Sequence, residues 1–155
     1  MIDDVKSKRI ISGSQLFAGL NSKEIAGILK NAYEKKFEAG NIIIKEGDPI
    51  KGLSIIIEGE TSIQKKNNMT GKTIELKVRG VGESLGEMTL IDSGAGSVTV
   101  LAKSDAKIAI INLVYLSDVF EKNPRMRGDI AINIARILSK RLRQATEYAA
   151  AKTGL

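Results

Sequence analysis

The chain contains no histidine and no cysteine. Those two absences exclude Ser-His-Asp and Cys-His catalysis, a metal held by imidazole or thiolate, and any disulfide. Aromatic residues make up only 4% of the sequence, so bases of a nucleic acid would find few stacking platforms. No stretch approaches the ~18 apolar residues that a membrane-spanning helix needs. Asp3 and Asp4 stand where a secretory signal would carry positive charge ahead of an apolar run. The expected location is therefore the cytoplasm, with no membrane partner. The remaining chemistry rests on carboxylates, Lys, Arg, Tyr and hydroxyls, which favours a binding module over an enzyme. The 155 residues carry 24 Lys+Arg against 18 Asp+Glu, a net charge of +6, and 43% are hydrophobic. Those values suit one globular domain over residues 1–155.

Periodicity divides the chain into three zones. Over about residues 10–36 the pattern is helical: Asn21 and Glu24 form a capping-box signature. Ile25, Ile28, Leu29 and Ala32 then recur on one helical face. Leu16, Phe17 and Leu20 are expected to pack beneath that helix. Over about residues 37–116, short β-branched runs alternate with glycine-containing breaks. The predicted strands are 42–44, 53–57, 61–63, 73–78, 97–101 and 107–112. Many short strands so spaced predict a sandwich or barrel. Over about residues 117–148 the pattern is helical again. Asn123 reads as a cap and Pro124 as a first helical residue, with Ile130, Ile134, Ile137, Leu138, Leu142 and Ala145 as an apolar stripe. Residues 149–155 read as a fraying tail.

Two phosphate motifs fail. Gly71-Lys72-Thr73 ends like a P-loop, but Lys66 stands where its first glycine belongs. Gly80 and Gly82 begin a dinucleotide fingerprint, but Leu85 stands where its third glycine belongs. The segment from Gly82 to Val100 is more informative. It predicts a strand end, a short helical turn at Glu87 to Ile91, a loop of small residues and a β-branched strand. Orphan N–H groups at such a turn attract anions, and Gly86 permits close approach to the backbone.

Leu16-Phe17 with Leu20, Phe37-Glu38-Ala39-Gly40, Glu46-Gly47-Asp48, a strand ending at Gly59, Gly82 with Gly86-Glu87, and Asn123-Pro124 occur in an order that resembles the cyclic nucleotide-binding domain family. That family includes bacterial catabolite activator proteins and protein kinase A regulatory subunits, and the resemblance spans residues 16–145. It implies a mainly β fold, a jelly-roll-like β-roll (a double-stranded β-helix) of eight strands. A helix precedes the roll, and a hinge near Ser117 to Asn123 leads to a long C-terminal helix behind it. It also implies a phosphate-binding cassette built from Gly86, Glu87, Met88, Thr89, Gly96, Ser97, Val98 and Thr99. Glu87 would accept the ribose 2′-hydroxyl, and the backbone at 86–89 would face the cyclic phosphate. The family's cassette arginine falls at Gly96, and no Lys or Arg lies between Arg79 and Lys103. A charge-assisted bond to phosphate is worth about 1.5–3 kcal/mol, so its loss weakens a cyclic nucleotide roughly ten- to a hundredfold. Two readings follow. The Ser93–Ser97 loop and the Ser97 hydroxyl capture the phosphate through a backbone nest, or the pocket is degenerate and the fold serves protein interaction or dimerisation.

Arg79 reads as a solvated strand-end residue. The last helix carries six basic residues against one acid between 125 and 143, which gives a solvated face or attracts an acidic partner. Direct DNA binding is not expected, because no helix-turn-helix follows. The family resemblance implies that this helix pairs two protomers through Ile130, Ile134, Ile137 or Leu138, and Leu142. The expected protein is thus a non-enzymatic regulator that needs no cofactor. It would bind cAMP or cGMP as ligand, form a homodimer and signal through its last helix to an effector protein. An enzyme reading would have only Asp/Glu pairs, such as Glu83 with Glu87, to serve as acid and base.

Overall fold

A computed structural model describes residues 1–153. Helix α1, Val5–Ser12, starts at Asp4, whose carboxylate accepts from the Ser7 N–H at 2.9 Å and the Ser7 hydroxyl at 2.8 Å. A 3-10 turn over Gln15–Phe17 leads to α2, Ser22–Leu29. The capping box is present: Asn21 Oδ1 accepts from the Glu24 N–H at 2.9 Å, and Glu24 accepts from the Asn21 N–H at 2.9 Å. Asn21→Ala is expected to cost about 1 kcal/mol, measurable by urea denaturation. A change below 0.3 kcal/mol, about half of thermal energy, would show that tertiary contacts alone hold the helix start.

The first zone ends earlier than its periodicity predicts. Helix α2 stops at Leu29, and Ala32–Phe37 is strand β1. Only Ala32 and Phe37 of that strand are buried, and it pairs on one edge with β8 alone. An edge strand reading Ala-Tyr-Glu-Lys-Lys-Phe has no alternation to betray it. The other strands are β2 Ile42–Ile44, β3 Gly52–Glu58, β4 Thr61–Lys66, β5 Thr73–Arg79, β6 Ser84–Leu85, β7 Thr99–Ala102 and β8 Ala106–Asn112.

The eight strands form two antiparallel sheets, ordered β1-β8-β3-β6 and β2-β7-β4-β5. Phe37, Ile56, Ile63, Leu85, Val100 and Ile108 fill one core. The other face of the first sheet, through Leu53, Ile55, Ile57, Ala109 and Ile111, packs with Ile11, Leu16, Phe17, Ile28 and Leu116 from the helices. This two-sided burial explains why β3 reads as an unbroken apolar run.

Helix α4, Leu113–Lys122, begins at Asn112, whose side chain accepts from the Tyr115 N–H at 3.0 Å. It occupies most of the expected hinge, which shrinks to the single residue Asn123 between α4 and α5, Pro124–Lys152. Asn123 does not cap α5 with its side chain; its Nδ2 instead donates back to the Val119 carbonyl at 2.9 Å. The expected fraying tail is helical through Lys152, and residues 154–155 lie outside the described residues. No helix among the described residues is long and apolar enough to cross a membrane.

Helix α5 also corrects the expected pairing face. Met126, Ile130, Ile134 and Ile137 are buried against this chain's own N-terminal segment and first sheet. Asn133, also buried, donates from Nδ2 to the carbonyls of Leu16 at 3.0 Å and Ala18 at 2.8 Å. Ile130, Ile134 and Ile137 are therefore core rather than a surface for a second protomer. Beyond Leu138 the helix leaves that core, and Leu142 is 68% exposed.

Candidate functional site

The site grows from the connection between β5 and β7. The chain turns after Arg79, forms the short strand β6, and reaches Gly86 in the left-handed region at φ +80°. The left-handed backbone there favours glycine, and the space is tight, since a Cβ would stand 3.1 Å from Ile50 Cγ2 and 3.3 Å from the Gly52 carbonyl. A short helix, α3 Thr89–Asp92, follows and ends at Ser93, which is also left-handed at φ 55°. Among the described residues, the N–H groups of Gly86, Glu87 and Met88 have no protein acceptor.

Glu87 is 2% exposed. One of its oxygens, Oε1, accepts from Arg141 of α5, while Oε2 is buried without a partner among the described residues. Arg141 also donates from Nη2 to the Ser84 carbonyl at 3.1 Å, and Arg79 donates from Nη1 to the same oxygen at 3.2 Å. Burial lowers the Arg79 pKa below its ordinary value, and the like charge of Arg141 adds to this. Glu87 and Glu83 partly offset the shift.

A cavity of about 670 Å³ lies between these residues and α5. Ile44, Ile63, Leu76, Leu85, Val98 and Val100 supply apolar wall from the β-roll, while Leu138, Leu142, Ala145 and Tyr148 close it from α5. Seven of the eight expected cassette residues line it: Gly86, Glu87, Met88, Thr89, Gly96, Ser97 and Val98. Thr99 does not; its Oγ1 accepts from the Glu46 N–H at 3.1 Å.

The loop is less open as a nest than its composition predicts. The Gly96 N–H donates to the Asp48 carbonyl at 3.0 Å, and the Gly96 carbonyl accepts from Gly47 at 2.8 Å. Ser93 donates to the Thr89 carbonyl and Gly94 to the Asp92 carboxylate. Among the described residues, only the Ala95 and Ser97 N–H groups of that loop lack an acceptor. The Ser97 carbonyl is held by Lys65 Nζ at 2.8 Å.

The cations of the cavity come from elsewhere. Lys77 and Arg79 reach it from β5 and Arg141 from α5. Arg79 is thus a half-buried wall residue rather than a solvated strand end. Arg141 is separated from Glu87 by 54 positions, and only the fold-back of α5 brings the two together.

A family model described as "Cyclic nucleotide-binding domain" matches residues 34–123. The chain belongs to that family. The Cyclic AMP receptor protein of Thermus thermophilus is 29% identical over 136 residues, covering 87% of this chain and 60% of that protein. The crystal structure of a cyclic nucleotide-binding domain from Methylobacillus flagellatus superposes with a TM-score of 0.82 at 21% identity, over 95% of this chain and 82% of that one. The regulatory domain of Toxoplasma gondii PKA, solved with cAMP, superposes with a TM-score of 0.66 at 29% identity, over 76% and 42%. The chain thus spans about 60% of the length of this curated relative. Helix α5 lies beyond the residues that the family model matches.

Proposed function

We propose that this cyclic nucleotide-binding domain takes cAMP or cGMP into the cavity between its cassette and α5, and that α5 carries the signal to an effector protein. The observation that carries this reading is the buried Glu87 carboxylate, with Oε2 unpartnered at the cavity wall. An uncompensated carboxylate oxygen calls for a hydroxyl donor, and a ribose 2′-hydroxyl is one. The N–H groups of Gly86, Glu87, Met88, Ala95 and Ser97, with the Ser97 hydroxyl, would receive the phosphate. The apolar wall from Leu138 to Tyr148 would cover the base. Because α5 supplies that wall, occupancy changes the contacts of α5, which is the differential interaction that a switch requires.

No catalytic step is proposed. Glu83 accepts from the Gly80 N–H at 2.8 Å and Glu87 is paired with Arg141, so neither is arranged as a base.

A second reading, a degenerate site on an interaction module, is favoured by Gly96, whose polar groups are both bonded to the 47–48 turn. Calorimetric titration of the wild type and Gly96→Arg with cAMP and cGMP decides between them. The expected result is saturable heat from the wild type; silence with both ligands at high micromolar concentration overturns the sensing role. Binding gained only in Gly96→Arg marks a degenerate pocket. A Cβ at residue 96 stands 3.0 Å from the Lys45 carbonyl, so a melting curve of the variant accompanies the titration.

A further inference from the structure

A second cavity, of about 200 Å³, adjoins the first, shares Lys77, Arg79, Arg141 and Gln144 with it and is less than a third of its volume. Four cations line it: Lys77, Arg79, Lys140 and Arg141. Glu83 is the one carboxylate among its lining residues; it is exposed and already accepts from the Gly80 N–H. Glu87 does not line this cavity.

Two donors point to a ligand here. Ser84 is 2% exposed and lines the cavity, yet among the described residues its hydroxyl has no partner. The Nε of Arg79, a residue that lines both cavities, is likewise buried without an acceptor among the described residues. Buried donors in native structures are normally satisfied, and an orphan pair beside four cations is costly unless something accepts from them. The two guanidiniums also converge on a single neutral oxygen, the Ser84 carbonyl, and Glu87 neutralises only one of them. Like charges held this close repel unless an anion joins them.

We infer that this cavity is a site for a small inorganic oxyanion of the phosphate and sulfate class, distinct from the cyclic nucleotide cavity. A tetrahedral oxyanion presents several acceptors at once, enough for the Ser84 hydroxyl, the Arg79 Nε–H and N–H groups of Arg141. A nucleoside sized for the first cavity does not enter the second. The lowered Arg79 pKa fits the same picture, because an anion offsets both the burial and the repulsion that cause it.

The test is titration of the full chain with inorganic phosphate at constant ionic strength, read by calorimetry and by melting temperature. Saturable binding with a rise in melting temperature is expected. Arg79→Gln should weaken it about tenfold, the loss of one charge-assisted contact. Lys140→Gln removes an exposed side chain, so that variant should fold normally and weaken binding about threefold, less because a solvated charge is screened. Lys35→Gln, on β1, should leave it unchanged. A phosphate effect that chloride reproduces at equal ionic strength, or that Arg79→Gln and Lys140→Gln leave intact, identifies an adventitious ion only and overturns the site. Lys140→Gln separates the two cavities, because Lys140 lines the second and not the first, whereas Arg79 lines both. Phosphate binding weakened in Arg79→Gln but unchanged in Lys140→Gln would assign the anion to the first cavity and overturn the inference.

Discussion

Replacing Arg141 by alanine is expected to lower stability by about 3 kcal/mol, as removal of one partner from a buried ion pair does. The Glu87 side chain is 3% exposed and that of Arg141 20%, so water reaches neither fully. Truncation leaves a carboxylate in the wall with neither of its oxygens paired. Arg79 tempers the loss, because its guanidinium already sits on the same Ser84 carbonyl that Arg141 contacts. The effect therefore belongs at the lower end of the range for such pairs. A shift in the urea midpoint at unchanged slope measures it. The double variant Glu87→Gln/Arg141→Met should recover at least half of the loss, because it removes the buried charge together with its partner. If Arg141→Ala changes stability by less than 0.5 kcal/mol, the pair behaves as an ordinary surface salt bridge. The latch between cassette and helix would then carry no energy.

That pair also marks where the sequence stops being legible. Glu87 was identifiable because it stands in a local pattern, Gly82 through Gly86-Glu87, whose meaning depends on neighbours. Arg141 was not, because as one of six basic residues between 125 and 143 of a long helix it looks like part of a solvated face. Its role depends on where the helix axis lies relative to β6, and no local rule supplies that. Strand β1 escaped for a related reason: as an edge strand its two buried residues are five apart, which matches neither a helical nor a strand period. Strand β6, only two residues long, stands just before the cassette, where the sequence shows a strand end but not its pairing with β3. By contrast β3, β5 and β8 were readable from β-branched composition, and α2 from its capping box. The stripe of α5 is legible as apolar, but what covers it is not: the expected partner is a second protomer, whereas the chain's own core buries most of it. Period 3.6 identifies a buried face but not what buries it, and here Leu16, Phe17 and Ile28 of the same chain do. The loop at 93–97 carried the opposite error. Its small residues suggested open N–H groups, whereas three of them are engaged by Thr89, Asp92 and Asp48.

Helix α5 changes task along its length, and a pair of truncations should separate the two halves. Ile134 is 1% exposed within the shared core of helices and first sheet, so Ile134→Ala is expected to cost about 3–4 kcal/mol through lost burial and the cavity it leaves. Leu142 lies two turns further on, 68% exposed, and lines the large cavity from above. Leu142→Ala should stay within about 0.5 kcal/mol of the wild type in urea denaturation, as exposed substitutions do. Its effect appears instead in ligand affinity. A cyclic nucleotide beneath it covers apolar surface worth about 1.4 kcal/mol, so its dissociation constant should rise about tenfold. Affinity unchanged in Leu142→Ala would mean that the second half of α5 is no wall, and that occupancy has no contact through which to move the helix. Light scattering of the same proteins tests the pairing face. Because Ile134 faces its own chain, Ile134→Ala should lower stability without changing the mass of the folded species. A halved mass would return that residue to an interface between protomers.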